Sequence, residues 1–369
     1  MLDPLAIELE TSAVPSLSHT PSNLPVRKLL QPSPTHPDDY ILEIDYSALS
    51  TFLACPRSFE NQYVHSREAA RPAHALQFGR LFHECEELRL RLPSDFPRSG
   101  LDSRQRDLVI QHFSIHPIPP DEYRSADRML DVLRLYNDRY CDDGWPSRVV
   151  QHEGVPFIER PFKIELCTVP VNGQLNYTDS QLVADYSNSP TEEQWLRVRN
   201  IHIIATGRID TAIHEGDSIF VVDNKTSSRG GREFEEAFNL SLQTRGYTWA
   251  LKKILGHSLD DPTIQGLIMN AVVVRPLTRT GTGTEFNRHT YFYSGDSLRE
   301  WEADVRAHLE DLVNCLVRGY FPQSARSFKS PCSGCDFHDN CQLPPAQRPA
   351  DLATSLFRDV VWNPITNVD

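Results

Sequence analysis

The chain has 369 residues, of which 39% are apolar and 24% charged, a composition typical of a globular protein with a substantial core. No apolar run approaches the roughly 20 residues that span a bilayer, and residues 1–10 lack the basic start of a signal peptide. We therefore expect a soluble, cytoplasmic protein with no membrane partner. The net charge of −13 excludes a basic surface over the whole molecule, so a nucleic acid would have to bind in a local groove or through bound cations.

The composition divides the chain into three parts. Residues 1–38 are rich in Pro, Ser and Thr without an apolar period, which predicts a disordered tail. Residues 39–345 are predicted to form the folded domain, and residues 346–369 a C-terminal tail. Within the domain, residues 93–150 are predicted to be a helical insertion, whose role the sequence does not indicate.

Apolar periodicity predicts the elements of the domain. Helices are expected around Leu49 and Phe59, and over 78–92, 129–140, 239–255 and 297–318. Strands are expected at 155–166, 201–213, 219–225, 264–275 and 290–293. This order predicts an α/β fold with a mixed central β-sheet flanked by helices.

Two neighbouring predicted strands carry a pair of carboxylates and a lysine. A four-residue turn at 215–218 would place Asp210 opposite Asp223, with about 4.5–5.5 Å between their Cβ atoms, and Lys225 would project from the same face. Two carboxylates this close repel each other unless a divalent cation bridges them. Such a set can bind a metal, lower the pKa of a water molecule and stabilise charge on phosphorus. The alternative is a surface hairpin with one ion pair, worth about a few tenths of a kcal/mol.

Other polar side chains accompany this hairpin. His83 lies beside the apolar face of the predicted 78–92 helix, and by itself it would be interpreted as a packed or hydrogen-bonded side chain. Glu84 and Glu87 are weaker candidates, either on a solvated face or supporting the metal ligands. Gln243 and Tyr247 stand four residues apart, and therefore on one face, of the helix that follows the hairpin.

The order of these residues resembles the RecB-like branch of the PD-(D/E)xK nucleases. The resemblance covers residues 45–90 and 155–342, and it rests on four motifs: His83, Gly-x-x-Asp ending at Asp210, Asp223-x-Lys225 and Gln243-x-x-x-Tyr247. It implies a restriction-endonuclease-like core. The 93–150 insertion, an extra loop near 176–199 and the acidic net charge depart from the family pattern.

The resemblance also implies a role for each residue of the set. The ligands of a Mg²⁺ or Mn²⁺ ion would be His83, Asp210 and Asp223. Lys225 would position the attacking water, and the pair Gln243 and Tyr247 would contact the substrate or orient the site.

A second site is predicted from the cysteines. The spacing Cys332-x2-Cys335-x5-Cys341 supplies three thiolates within ten residues, a pattern that indicates metal binding. By resemblance, Cys55 is the fourth ligand and the site holds a [4Fe-4S] cluster, with residues 320–345 as the cluster-binding segment; four thiolates also suit zinc. Such a site would join the two ends of the domain. The remaining four are interpreted as unligated buried residues: Cys85, Cys141, Cys167 and Cys315.

These expectations define a metal-dependent DNA nuclease that hydrolyses phosphodiesters by a metal-activated water. An exonuclease acting on single strands or DNA ends is favoured, in DNA repair and recombination or in phage or CRISPR-type DNA processing. Two alternatives remain open: a DNA-binding processing subunit with weak or no catalysis, and a zinc-stapled interaction protein. The sequence does not indicate protein partners.

Overall fold

A computed structural model of the chain describes residues 29–70, 74–177, 194–277, 281, 283–324, 332, 334–360 and 362. A mixed sheet forms the centre, and its strands are β1 (Leu30–Pro32), β2 (Asp39–Ile44), β6 (Ile158–Tyr177), β7 (Gln194–Glu215), β8 (Ser218–Ser227), β9 (Ile264–Val274) and β10 (Thr284–Phe292). Two small sheets pair β3 (Arg67–Ala69) with β11 (Phe357–Asp359), and β4 (Gln151–His152) with β5 (Val155–Pro156).

The strand order of the main sheet is β1-β2-β7-β8-β9-β10, and β6 pairs with β7. The β2–β7 and β8–β9 pairs are parallel, whereas the other pairs are antiparallel. The central position of β7 and β8 matters for function, because these strands bear the predicted carboxylates. The prediction of an α/β fold with a mixed sheet is confirmed.

Helices cover both faces of this sheet. They are α1 (Tyr46–Ala54), α2 (Pro56–Phe59), α3 (His74–Arg91), α4 (Arg98–Ile115), α5 (Ala126–Tyr140), α6 (Trp145–Arg148), α7 (Arg232–Asn239), α8 (Leu242–Ile254), α9 (Gly295–Arg318), α10 (His338–Gln342) and α11 (Arg348–Leu352), with a π-helical turn at Glu60–Val64 and a 3-10 turn at Pro345–Gln347. None of the helices described is long and apolar enough to cross a lipid bilayer.

The two faces have separate cores. Side chains of α1, α8 and α9 pack on one face, where Trp249 and Trp301 are fully buried. Side chains of α3, α4 and α5 pack on the other, where Phe82 and Tyr136 contact each other edge to face with ring centroids 5.3 Å apart. In each core these aromatic side chains bury large apolar areas, and this burial is a main contribution to the stability of the layer. The predicted helical insertion therefore supplies α4 and α5 to the second layer.

Capping residues fix where the helices near the site begin. Asp45 accepts a hydrogen bond of 2.6 Å from the backbone N–H of Ala48 at the start of α1, and Ser241 accepts one of 3.2 Å from Thr244 at the start of α8. Each bond satisfies an N–H that has no partner within its helix. At the end of α9, Gly319 adopts φ 60°, the left-handed conformation favoured at helix ends.

The folded domain includes residues that were predicted to belong to the N-terminal and C-terminal tails. Leu29 and Leu30 are buried in the main core, and β1 pairs with β2, so the folded domain starts before residue 39. At the other end β11 pairs with β3, and Phe357 is buried, so the folded part extends beyond residue 345. Short strands like these have too few residues for a periodic signal. The predicted disorder of residues 1–28 lies outside the described residues.

Three further predictions are revised in detail. The extra loop near 176–199 is shorter, because β6 runs to Tyr177 and β7 begins at Gln194; residues 178–193 lie outside the described part. Strand β10 begins six residues before the predicted position 290. Helix α7 was not predicted; it has only eight residues, and its apolar face is the pair Phe234 and Phe238, which pack half-buried against the main core.

Candidate active site

The predicted register of the β7–β8 hairpin is confirmed. Ile213 lies opposite Phe220 and the pairing continues to Thr211, so Asp210 and Asp223 are the next residues along. Both carboxylates are buried, with exposed fractions of 8% and 1%. Two buried carboxylates on adjoining strands need positive charge nearby, because burial without a partner disfavours the ionised form.

Lys225 supplies part of that charge. Its Nζ lies 3.0 Å from Oδ1 and 2.9 Å from Oδ2 of Asp223. Oδ2 is buried and accepts no hydrogen bond of good geometry from any residue described, so it retains capacity for a ligand. Burial raises the pKa of Asp223 and nearby Asp210 raises it further, although Lys225 opposes both effects. The pKa of Lys225 is also raised, because the two aspartates outweigh its burial.

His83 of α3 reaches the same site. Its Nδ1 lies 3.2 Å from Oδ2 of Asp210, which also accepts a 2.7 Å hydrogen bond from the backbone N–H of Asn224. Burial lowers the pKa of His83, but the carboxylates of Asp210 and Glu159 raise it to about 9 overall. His83 in turn lowers the pKa of Asp210 despite burial. His83 is therefore part of the carboxylate site rather than a packed core histidine.

Glu159 of β6 is a site residue that the sequence did not reveal. Its neighbours Ile158 and Arg160 pair with Thr211 and Ile209, which puts Glu159 beside Asp210. It has φ 49°, a left-handed conformation that is strained for this residue type. Burial and the charge of Asp210 raise its pKa to about 8. The only available sequence signal was its place in a predicted strand, because the long connection between β6 and β7 does not fix their register.

Three of these side chains form a compact group of possible metal ligands. Among the residues described, one ligand atom each of His83, Glu159 and Asp210 lie within 4.8 Å of one another. Carboxylate oxygens suit Mg²⁺, and carboxylates with an imidazole suit Mn²⁺. The predicted ligand Asp223 is outside this group; it lies on the neighbouring strand, paired with Lys225. The donor set, together with the nearby carboxylate of Asp223, fits a divalent cation.

Tyr247 and Gln243 of α8 flank the carboxylates. The amide of Gln243 donates a 3.0 Å hydrogen bond to the Tyr247 hydroxyl. Burial raises the pKa of Tyr247 well above its usual value, and the charges of Asp223 and Asp210 add to the shift. The ring contacts Tyr46 at a centroid distance of 5.7 Å. Gln243 thus lies next to the site through Tyr247, and the hydroxyl stays protonated.

Glycine permits this close packing at one point. A Cβ at Gly207, the first residue of the Gly-x-x-Asp motif, would lie 2.9 Å from the Phe162 ring and 3.6 Å from the Tyr247 ring. The glycine of the motif is therefore needed for steric reasons, whereas the aspartate of the motif supplies the carboxylate.

The four predicted cysteine ligands lie around one cavity of about 510 Å³. Cys55 occupies the joint between α1 and α2, where Pro56 begins the second helix, and the others come from the segment after α9: Cys332, Cys335 and Cys341. Burial raises the pKa of the Cys335 and Cys341 thiols, and the neighbouring Cys55 raises both further. A bound cation would favour the thiolate form of these cysteines.

No three of these thiols come within 4.8 Å of one another in the described part of the chain. Of the other four cysteines, Cys85 and Cys167 are buried as predicted and Cys315 is half-buried. Cys141 is exposed, which corrects its prediction as a buried residue; it lies just after α5, where the helix leaves the core.

The two ends of the domain are also joined without the cysteines. Arg57 of α2 donates a 2.9 Å hydrogen bond from Nε to the carbonyl of Phe321. Trp362 donates one of 3.2 Å to Asp45, and its ring contacts Tyr63 at 5.7 Å. Together with the β3–β11 pair, these contacts bring Cys55 and the cysteine segment together.

The fold and the site define an α/β protein with carboxylates, a histidine and a lysine gathered where two adjoining strands of a mixed sheet meet. The model of the PD-(D/E)XK nuclease superfamily matches residues 44–342, most of the chain, and the chain belongs to this superfamily. The predicted superfamily is thereby confirmed, and the protein is a nuclease by family.

Other comparisons add little. No curated protein matches the chain. A solved structure from Eubacterium rectale, of a protein called "Putative exonuclease", is similar at 10% sequence identity over 82% of this chain and 89% of that chain, with a TM-score of 0.44. A similarity this weak carries no argument about activity.

Proposed function

We propose that the protein is a RecB-like, metal-dependent deoxyribonuclease that hydrolyses phosphodiesters at the His83, Glu159, Asp210, Asp223 and Lys225 site. The observation that supports it most is the compact group of His83, Glu159 and Asp210 beside an Asp223–Lys225 pair. Structural ion pairs alone would not explain a third acid at this position, because each added carboxylate disfavours the ionised form of the others.

The ligands of Mg²⁺ or Mn²⁺ in this proposal are His83, Glu159 and Asp210, with Asp223 completing the set through Oδ2, which lies near Lys225 but accepts no hydrogen bond of good geometry from the residues described. A bound cation of this kind lowers the pKa of water and stabilises charge on a phosphoryl oxygen. Asp210 is held for this task by the backbone N–H of Asn224, which fixes one carboxylate oxygen. The predicted ligand set is thus extended by one residue.

Lys225 and Tyr247 act on the substrate side. The ammonium of Lys225 stays charged, because its pKa is raised, and it orients the attacking water and stabilises charge that develops on phosphorus. The Tyr247 hydroxyl stays protonated and donates a hydrogen bond to a phosphate oxygen, oriented by Gln243. Lys225 and the bound cation would supply positive charge for the phosphate where the net charge of the chain is acidic.

The four cysteines are proposed to bind a [4Fe-4S] cluster. A tetrahedral zinc site with Zn–S bonds of about 2.3 Å needs thiolates about 3.8 Å apart, whereas the four cysteines here surround a cavity of about 510 Å³. A cuboidal cluster separates its thiolates more widely, because each thiolate binds a different iron atom. The arrangement around a shared cavity supports the cluster. Its function is to join the cysteine segment to the α1–α2 joint.

Cleavage of end-labelled DNA tests the proposal. Anaerobically purified protein is incubated with single- and double-stranded DNA and with single-stranded RNA, in Mg²⁺, Mn²⁺ or EDTA. We expect degradation of DNA from an end, preferably of single strands, and no reaction in EDTA. Closed circular single-stranded DNA is the control for end dependence, and its rapid cleavage would show an endonuclease instead.

Other outcomes would contradict the proposal. Undiminished cleavage in EDTA would exclude the metal mechanism. Tight DNA binding without cleavage in either metal would favour the DNA-binding subunit. Stoichiometric zinc without iron would replace the cluster by a zinc site.

A further inference from the structure

Behind the catalytic strand lies a chain of buried polar side chains that the proposed chemistry does not use. Asn224 stands between Asp223 and Lys225, and because strand side chains alternate, its own side chain points to the face covered by α3 and α5. Its Oδ1 accepts a 2.7 Å hydrogen bond from Nδ2 of Asn270 on β9. Both residues are buried, with exposed fractions of 3% and 0%. Two buried amides in a strand core are costly unless they are fully hydrogen-bonded.

Asn270 meets that condition through two further residues. Its Nδ2 also donates a 2.7 Å hydrogen bond to the hydroxyl of Tyr136, and its Oδ1 accepts one of 3.2 Å from Nε of Arg288. Both amide hydrogens and the carbonyl oxygen are therefore occupied. These three bonds fix the rotation of the Asn270 amide plane and, through it, the side chain of Asn224.

Tyr136 belongs to α5, in the helical insertion. Its hydroxyl donates a 3.1 Å hydrogen bond to Oε2 of Glu86 and accepts one of 3.1 Å from Arg288. Glu86 is paired with Arg89, and Asp143 bonds to Arg89 at 3.1 Å and to Arg288 at 2.8 Å, so two acids and two arginines balance each other. The insertion thus holds the side chains of Asn270 and Asn224 through Tyr136, whose charged neighbours balance one another.

The other end of the chain is a catalytic carboxylate. The backbone N–H of Asn224 donates its 2.7 Å hydrogen bond to Oδ2 of Asp210, the same oxygen that lies 3.2 Å from His83. A rotation of residue 224 would therefore move this donor relative to Asp210, and would tilt the side chains on either side of it. A continuous series of bonds joins the hydroxyl of Tyr136, by way of Asn270 and Asn224, to a proposed metal ligand.

We infer that Tyr136 and Asn270 are positioning residues, which fix the Asp223–Lys225 segment and the orientation of Asp210 through Asn224. The helical insertion is then a support for the nuclease centre. The inference rests on the proposed function for its effect on catalysis, but its structural part can be measured on the protein alone. Residues that orient metal ligands commonly change metal affinity or activity by about 10- to 100-fold when altered.

Tyr136→Phe is the direct test, because it removes only the hydroxyl. Tyr140→Phe is the matched control: Tyr140 lies one turn further along α5, its ring stacks on the same Arg288 guanidinium at 3.7 Å, and its hydroxyl has no hydrogen bond to a residue that the structure describes. Both variants keep their rings. Three quantities are compared with the unaltered protein: amide hydrogen exchange of residues 219–227, Mn²⁺ affinity by electron paramagnetic resonance, and kcat with KM for end-labelled DNA.

We expect Tyr136→Phe to speed exchange in residues 219–227 and to weaken Mn²⁺ binding, each about tenfold, and to lower kcat about tenfold with KM unchanged. Tyr140→Phe should change none of them by more than about twofold. Equal values for the two variants would overturn the inference. If the unaltered protein does not cleave DNA, the proposed function fails, while exchange and Mn²⁺ binding still decide whether Tyr136 positions the strand.

A pair of substitutions separates positioning from stability. Asn270→Leu alone leaves Oδ1 of Asn224 buried without its partner, and Tyr136 and Arg288 each lose one hydrogen bond, so the protein should melt at a lower temperature. Asn224→Val together with Asn270→Leu removes both members of one hydrogen bond, and should recover part of the melting temperature. We expect kcat to remain at least about fivefold low in the double variant. Recovery of kcat in step with the melting temperature would show a structural role alone.

Discussion

The proposed nuclease centre and the four-cysteine site differ in what holds their residues in place. In the first, Asp210, Asp223 and Lys225 lie on adjoining central strands and their side chains make bonds of 2.7–3.2 Å within the protein. In the second, the thiols lie around a cavity and come from segments that are far apart in the sequence. The sheet preorganises the first site, whereas in the second the protein brings the segments together and the proposed cofactor would bind the thiols. Loss of a ligand should therefore affect chemistry in one site and folding in the other.

The largest effect is expected at Asp223. Asp223→Asn keeps the shape of the side chain but removes the charge that pairs with Lys225, so cleavage should fall about 10³-fold or more while the melting temperature changes little. Rates are measured with saturating Mn²⁺ and melting by circular dichroism. Asp217→Asn, in the exposed turn of the same hairpin, is the control and should cleave normally. A near-normal rate in Asp223→Asn would contradict the proposed mechanism.

At the cysteine site the effect should fall on cofactor content and stability. Cys55→Ala and Cys341→Ala are expected to behave alike, although they lie at opposite ends of the domain, because each removes one of four ligands. The unaltered protein should be brown with about four iron atoms per chain. Both variants should lose the iron and more than about 1 kcal/mol of unfolding free energy. Iron analysis and denaturant titration measure this.

Two controls sharpen that comparison. Cys141→Ala, at an exposed cysteine, should retain iron and stability. Treatment of the unaltered protein with EDTA should stop cleavage yet leave the melting temperature within about two degrees, because the sheet already holds the nuclease ligands. A loss of stability in EDTA as large as that in Cys55→Ala would remove the distinction between the two sites. Loss of iron in only one cysteine variant would show that Cys55 and Cys341 do not share a cofactor.

A smaller effect is expected at Glu159. Glu159→Gln removes one charge from the compact ligand group, and the affinity for Mn²⁺ should fall about 10- to 100-fold, with activity restored in part by added metal. Titration calorimetry and the metal dependence of kcat report this. Glu165→Gln, at an exposed position on the same strand, should leave both quantities unchanged. Unaltered Mn²⁺ affinity in Glu159→Gln would exclude Glu159 as a ligand.

A dependence on pH is also expected. In the metal-free site the pKa of His83 is about 9 and that of Glu159 about 8, so both hold protons at neutral pH that metal binding must displace. Mn²⁺ affinity should rise from pH 6.5 to 8, by up to about tenfold per pH unit for each proton displaced. Calorimetry in buffers of different ionisation enthalpy counts the protons released. Affinity that falls over this range would contradict these pKa directions.

The same pKa values predict how stability changes. The pKa of folded His83 lies above its ordinary value of 6.5, so its pair with Asp210 stabilises the metal-free protein fully below pH 6.5, and this contribution is lost as the pH rises through about 9. The raised pKa of Glu159 acts in the same direction between its ordinary value of 4.5 and about 8. Melting temperatures with EDTA should therefore fall with rising pH over this range, and added Mn²⁺ should reverse the trend.

The local sequence pattern was sufficient to predict many of the helices and strands and the register of the β7–β8 hairpin. The turn at 215–218 and the period of two along a strand determined the register of Asp210 and Asp223, because a short turn permits few pairings. Helical periodicity located α3, α5, α8 and α9, whose apolar faces are buried in the two cores. The family motifs gave His83 and the cysteines as candidates.

Only the tertiary structure decided which distant residues share a site. Glu159 joins Asp210 because β6 pairs with β7 across a connection too long to fix a register, and its left-handed backbone has no sequence signature. The bonds from Tyr136 through Asn270 to Asn224 join residues up to 134 positions apart, which no local period can encode. Strands β1 and β11 were missed because three residues are too few to show a period. Period and turn chemistry act over a few residues, whereas these contacts depend on how the layers pack.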